Sequence, residues 1–140
     1  MNGYKKVMVT QASKKAVAAG DRQEVAAQLM NPAAWKEAVI RRVSAWEGVT
    51  VHEHRFGGVE FRLGRRELGH IHASFADIPF PKNVRDELIA AGRARPHHVL
   101  PDSGWVTTPM RTSAQVEGVI ELLRLNYDRA ASAPVNGQRD

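Results

Sequence analysis

A change of hydrophobic period near residue 48 is what most constrains the fold of this chain. Up to that point Trp35, Val39, Val43 and Trp46 recur at the spacing of a helix stripe. Beyond it, glycines cut the chain into short extended segments. Val49 to Phe56 reads as one strand, and Gly57-Gly58 is a hairpin turn signal. Val59-Glu60-Phe61-Arg62-Leu63 alternates apolar and charged residues, as a half-buried strand does. Gly64-Arg65-Arg66 turns again, and Glu67 to Ser74 reads as a third strand. Three strands on short turns make an antiparallel meander, and one face of such a sheet needs cover.

Amphipathic segments on either side supply that cover. Asp21 with Glu24 is a capping box opening a helix through Val25, Leu29 and Met30. Asn31-Pro32 restarts it, with proline at the first helical position, where its missing N–H costs nothing. Gly48 is the stop. Ile78-Pro79-Phe80-Pro81 reads as a break in the sheet, because proline offers no donor. Pro81 then opens a helix with Val84, Leu88 and Ala91, closed by Gly92. Trp105 to Thr108 is a fourth strand, ended by Pro109. Thr112 or Ser113 caps the last helix, whose stripe is Val116, Ile120, Leu123 and Tyr127. The expected fold is α+β, in the order α-α-β-β-β-α-β-α. Its antiparallel sheet has about four strands, a three-stranded meander plus one later strand, packed against amphipathic helices.

At 140 residues the chain has the length of a single domain. The expected organisation is a flexible basic arm over residues 1–20, one α+β domain over 21–130 and a disordered tail over 131–140. There is no cysteine, which excludes disulfides, thiolate metal sites and cysteine nucleophiles. No apolar run approaches the roughly 18 residues of a membrane span, and residues 1–20 lack the apolar core of a signal peptide. The expectation is a cytoplasmic protein with no membrane partner. The formal net charge is +5, and Lys5, Lys6, Lys14 and Lys15 account for four of it. The remainder is nearly neutral, so the arm reads first as a solvated tail and second as a contact for anionic polymer. Arg41-Arg42 and Arg65-Arg66 are short and offset by acidic neighbours.

The chemistry-bearing residues are histidines in three close pairs: His52 and His54, His70 and His72, His97 and His98. Residues two apart on a strand share a face. With Ile71 and Ala73 toward the core, His70 and His72 point away from it, together with Leu68 and Ser74. Such a pair can offer two imidazoles to a transition metal, for which Asp77, His97, His98 and Asp102 are further ligand candidates. The spacing Gly64-x5-His70-x-His72-x4-Asp77 resembles the first half of the cupin metal motif. It has Asp in place of Glu, and no second motif follows. The expectation is therefore no metal and no cofactor, with the histidines hydrogen-bonded on a sheet surface. Acid–base partners are at hand in Glu53, Glu60, Glu67 and Asp77. Ser74 and Ser103 lack a nucleophile-elbow pattern. Trp105 follows the His97-His98 loop at a strand start, where it can wall a pocket.

Several spaced motifs carry a family resemblance. They are Arg55-Phe56-Gly57-Gly58-Val59-Glu60-Phe61, Gly69-His70-Ile71-His72 and Asp77-Ile78-Pro79-Phe80-Pro81 with Arg85-Asp86. The last is Pro96-His97-His98-Val99-Leu100-Pro101-Asp102-Ser103-Gly104-Trp105-Val106. Over about residues 35–130 the chain resembles the bacterial and fungal luciferase-domain family, whose members are mostly uncharacterised. The resemblance implies that His70, His72, His97, His98 and Trp105 belong to one shared feature, and it carries no catalytic residue. Its name suggests oxidation of a small molecule. The stretch from Trp105 to Tyr127 also resembles the last third of YjbR-like double-wing proteins, a likeness of fold. The leading expectation is a protein that binds a small molecule at a pocket lined by those four histidines and Trp105, with oxidation of that molecule as a further step that only the family name suggests. The alternatives are a nucleic-acid-binding module using the basic arm and a structural or partner-binding domain. Whether it is an enzyme, and its oligomeric state, are left open.

Overall fold

The computed structural model describes residues 32–133. The basic arm, the helix expected from Asp21 and the tail beyond residue 133 lie outside these residues. Helix α1 spans Pro32–Ser44, followed by strand β1 (Val49–His54), a 3-10 turn (Arg55–Gly57) and β2 (Gly58–Leu63). Next come β3 (Arg66–Ile71), β4 (Phe75–Pro79) and α2 (Lys82–Ala90). β5 (Arg95–Pro96), β6 (Trp105–Pro109) and α3 (Ser113–Ala131) complete the order. The six strands form one sheet in the order β1-β2-β3-β4-β6-β5, and all neighbours run antiparallel.

The α+β class and the meander are as expected, but the sheet has six strands where about four were expected. The expected third strand, Glu67 to Ser74, ends at Ile71. The chain turns through residues 72–74 and returns as β4, with His72 N–H donating to Phe75 O at 2.8 Å. Ile78 and Pro79 therefore belong to the sheet rather than breaking it. Pro79 is the last residue of β4, opposite Trp105, so no later rung needs its missing donor. The two-residue strand β5 adds an edge beside β6.

The stripes fill one face of this sheet. Trp35, Val39 and Val43 of α1 and Val116, Val119, Ile120, Leu122 and Leu123 of α3 are buried against Phe61, Leu68, Ile71, Ala76, Ile78 and Val106. Trp46 lies past the end of α1 yet still packs on this core, its ring 5.3 Å from that of Tyr127. Thr112 caps α3 by accepting from Gln115 N–H.

One irregularity in β3 sets the geometry of the opposite face. Phe61 pairs with Gly69 but Arg62 pairs with Glu67, so Leu68 is an extra residue in the ladder. This bulge corrects the expected alternation. Leu68 turns into the core, fully buried, while Glu67 comes out beside His70. Ala73, expected inside, is exposed in the β3–β4 turn. Gly69 is required by the bulge: its φ is +154°, and a Cβ there would lie 2.9 Å from Leu123 and 3.1 Å from the Asp77 carbonyl. The Leu68 carbonyl, thrown out of register, accepts from Asn126 Nδ2 of α3 at 3.0 Å.

Candidate functional site

The face of the sheet away from the helices carries a polar row with one residue from every strand. His52 pairs with Glu60, Glu60 with His70, His70 with Asp77, Asp77 with Thr107 and Thr107 with Arg95. Residues paired across an antiparallel ladder share a face, so register alone brings these six side chains together.

Asp77 lies at the centre of the row, on a central strand, and is 2% exposed. Its Oδ1 accepts from Thr107 Oγ1 at 2.6 Å. Its Oδ2 is 3.3 Å from His70 Nε2, 3.3 Å from His98 Nε2 and 3.5 Å from His97 Nε2. Burial alone would raise its pKa. The hydrogen bonds from His70, Thr107 and His98 outweigh burial and bring it down to about 2.

His70 stands between two carboxylates. Its Nδ1 is 2.7 Å from Glu67 Oε2, and its Nε2 faces Asp77. Burial pulls the imidazole toward the neutral form, but the hydrogen bonds to Asp77 and Glu67 override it and raise the pKa to about 9. His72 is shifted the other way, by burial and by the positive charge of His70. His54 reaches the same place from β1. Its ring stacks on that of His70 at 3.8 Å, and its Nδ1 lies 3.0 Å from Glu60 Oε1. Glu60 also accepts from Arg62 Nε at 2.5 Å. Although burial works against ionisation there, these partners hold its carboxyl below the ordinary value.

His97 and His98 come from the loop after β5, their rings stacked at 4.4 Å. His97 Nδ1 accepts two backbone N–H groups, those of Val99 and Leu100, both at 3.0 Å. A nitrogen that accepts carries no proton, so the His97 proton sits on Nε2 and points at Asp77. Burial lowers the pKa of His97, and the nearby Asp77 charge only partly restores it. Trp105 closes one side, its ring 5.3 Å from His70 and 6.0 Å from His97.

Ring contacts link His72 to His70, His70 to Trp105, Trp105 to His97 and His97 to His98, and His54 joins them across β2. His52 shares the row, and its Nε2 lies 2.8 Å from Thr50 Oγ1. Glu53 is exposed and pairs with Val59, on the strand positions of the other face. Asp102 is exposed in a turn. The Ser103 hydroxyl donates to Leu100 O at 2.7 Å and accepts from Trp105 N–H, so it braces the loop.

Beside the cluster, toward β5 and β6, lies a cavity of about 600 Å³, within the range of small-molecule sites. Its lining includes Phe75, Arg95, His98, Thr107, Pro109 and Arg111, and no carboxylate. His98 and Thr107 are shared with the Asp77 network. Neither arginine stood out in the sequence. Arg95 becomes visible only through its pairing opposite Thr107.

Residues 65–126 match the family model described as Luciferase domain. The match runs from the turn before β3 into α3 and contains His70, His72, Asp77, His97, His98 and Trp105, while His54 and Glu60 precede it. No curated protein and no solved structure matches the chain. No helix of the described residues is long and apolar enough to cross a membrane.

Proposed function

We propose, from the premise that residues 65–126 belong to the luciferase-domain family, that the protein binds a small anionic, ring-bearing molecule in the cavity beside the histidine cluster. The observation that carries this reading is the lining. Two exposed arginines and no carboxylate line the cavity, which favours an anion, and Phe75 and Pro109 offer apolar surface to a ring. His98 and Thr107 are the contacts through which such a molecule would meet Asp77. Of the five residues expected to line the pocket only His98 does so; His70, His72, His97 and Trp105 are not among its lining residues. Oxidation of that molecule, which the family description suggests, would take dioxygen as the oxidant.

Titration of the full chain with 4-hydroxybenzoate and with phenyl phosphate, followed by NMR, tests this. Saturable shifts at Thr107, His98 and Phe75 are expected. Arg111→Ala should weaken binding about 10- to 100-fold, the worth of one charge-assisted hydrogen bond. Equal binding by the wild type, Arg95→Ala and Arg111→Ala proteins would sink the reading.

A further inference from the structure

Two groups of side chains on this face have their ligand-type atoms within 4.8 Å of one another: His54, His70 and His72, and Asp77, His97 and His98. The hydrogen bonds around them separate the two groups. A histidine that binds a metal through one ring nitrogen has its proton on the other, and donates that proton to a carboxylate or carbonyl. His97 is wired the opposite way. Its Nδ1 accepts from Val99 and Leu100, so its Nε2 keeps a proton and has no lone pair for an ion. Converting it to a ligand would break both backbone hydrogen bonds.

The first group has the wiring a metal needs. His54 Nδ1 lies 3.0 Å from Glu60 Oε1, and His70 Nδ1 lies 2.7 Å from Glu67 Oε2. Each carboxylate holds the Nδ1 proton. His70 Nε2 also carries a proton, directed at Asp77 Oδ2 3.3 Å away, which an incoming ion displaces without breaking any backbone hydrogen bond. Both carboxylates are fixed in turn: Glu60 by Arg62, and Glu67 by the bulge that brings it onto this face. His72 stands edge-on to the other two rings, 5.4 Å from His70 at 89° and 6.0 Å from His54 at 72°. It owes its place to Gly58, where a Cβ would lie 3.1 Å from the His72 ring.

The geometry points to a binding site for one divalent transition-metal ion, held by the imidazoles of His54, His70 and His72. Once the His70 Nε2 proton is displaced, three imidazoles suit zinc, iron, copper or nickel rather than magnesium or calcium, which take oxygen ligands. Binding turns the His54 and His70 rings out of their present stack, 17° from parallel, so that their lone pairs converge and the span closes to the roughly 3.4 Å edge of a tetrahedral nitrogen site. The ion then stands where His70 Nε2 now faces Asp77 Oδ2, with its remaining position toward Asp77. The site belongs to the β1–β3 side of the row and does not depend on a molecule occupying the cavity at β5 and β6.

Cobalt(II) is the probe. The full chain, stripped with a chelator, is titrated with Co(II) and read by its visible absorption, and the protein as purified is assayed for bound metals by mass spectrometry. One equivalent of cobalt should saturate the visible bands, and zinc should displace it. His72→Ala and His54→Ala should each weaken cobalt binding at least 100-fold. Glu60→Gln keeps all three imidazoles but loses the charge behind one, and should weaken binding roughly 10- to 100-fold. It also serves if an alanine variant does not fold. His97→Ala should leave binding unchanged. Absence of saturable bands at one equivalent overturns the proposal, as does loss of cobalt in His97→Ala with retention in His72→Ala. Neither result bears on anion binding, which is read through Arg95 and Arg111.

Discussion

Asp77 and His70 are nearly buried charges whose ionisation the fold sustains, and this makes stability depend on pH in a definite direction. The folded state raises His70 from 6.5 to about 9. Its contribution is therefore complete below pH 6.5 and is lost as pH rises through 9. Asp77 runs in the opposite sense, lowered from 3.8 to about 2. Its contribution is complete above 3.8 and is lost as pH falls through 2. For chelator-treated protein, the denaturant midpoint should fall steadily from pH 7 to pH 9.5, and His70→Gln should remove that slope. An identical slope in the variant would contradict the assignment. At this scale much was legible in the sequence. The paired spacing suggested His70 and His72 as neighbours on one face, although His72 lies just past the end of β3, and Glu60, Glu67 and Asp77 were visible as acids nearby. Their partners were not visible, because a contact such as His54 on His70 crosses an intervening strand, and only register decides it.

Among the elements, β3 has the largest influence, through its bulge. The extra residue puts Leu68 in the core and Glu67 against His70, and Asn126 secures it from α3 by satisfying the displaced carbonyl. Asn126→Leu leaves that buried acceptor unpaired. It should cost about 1–3 kcal/mol in denaturant unfolding and broaden the His70 resonances as Glu67 loses its fixed position. An unchanged midpoint would show that the bulge needs no anchor. Gly58→Ala acts on the adjoining strand. Its Cβ would press on the His72 ring at 3.1 Å and on the Ile71 carbonyl at 3.0 Å. A cost of about 1–3 kcal/mol is expected, together with a shift of the His72 ring signals in NMR, and unmoved signals would count against the close approach. The bulge was present in the sequence as two core residues, Leu68 and Ile71, three apart in a strand with a glycine between them. Strict alternation hid it, since a period of two cannot place both inside. β4 was hidden by Pro79, which reads as a breaker until its position at the strand's end is known.

For the whole molecule, the class of fold followed from the change of period and from the helix stripes, because burial of one sheet face is a demand that local pattern can express. The number of strands and their order were not legible. They depend on β4 pairing with β6 across a helix and a loop, a long-range choice that no local signal records. The same choice creates the site. His52, Glu60, His70, Asp77, Thr107 and Arg95 are far apart in sequence, and only the strand order β1-β2-β3-β4-β6-β5 sets them in line.

That line has a consequence for assembly. In β4 the charged member, Asp77, sits between Ala76 and Ile78, which are both fully buried on the helix side. A slip of one position in this strand would drive a carboxylate into the oily layer and throw two aliphatic groups out to water in the same movement. Faulty threading is thus penalised by the interior itself. A copy of this protein that has reached a stable interior must already carry its ionic line in working order, with no separate step of alignment.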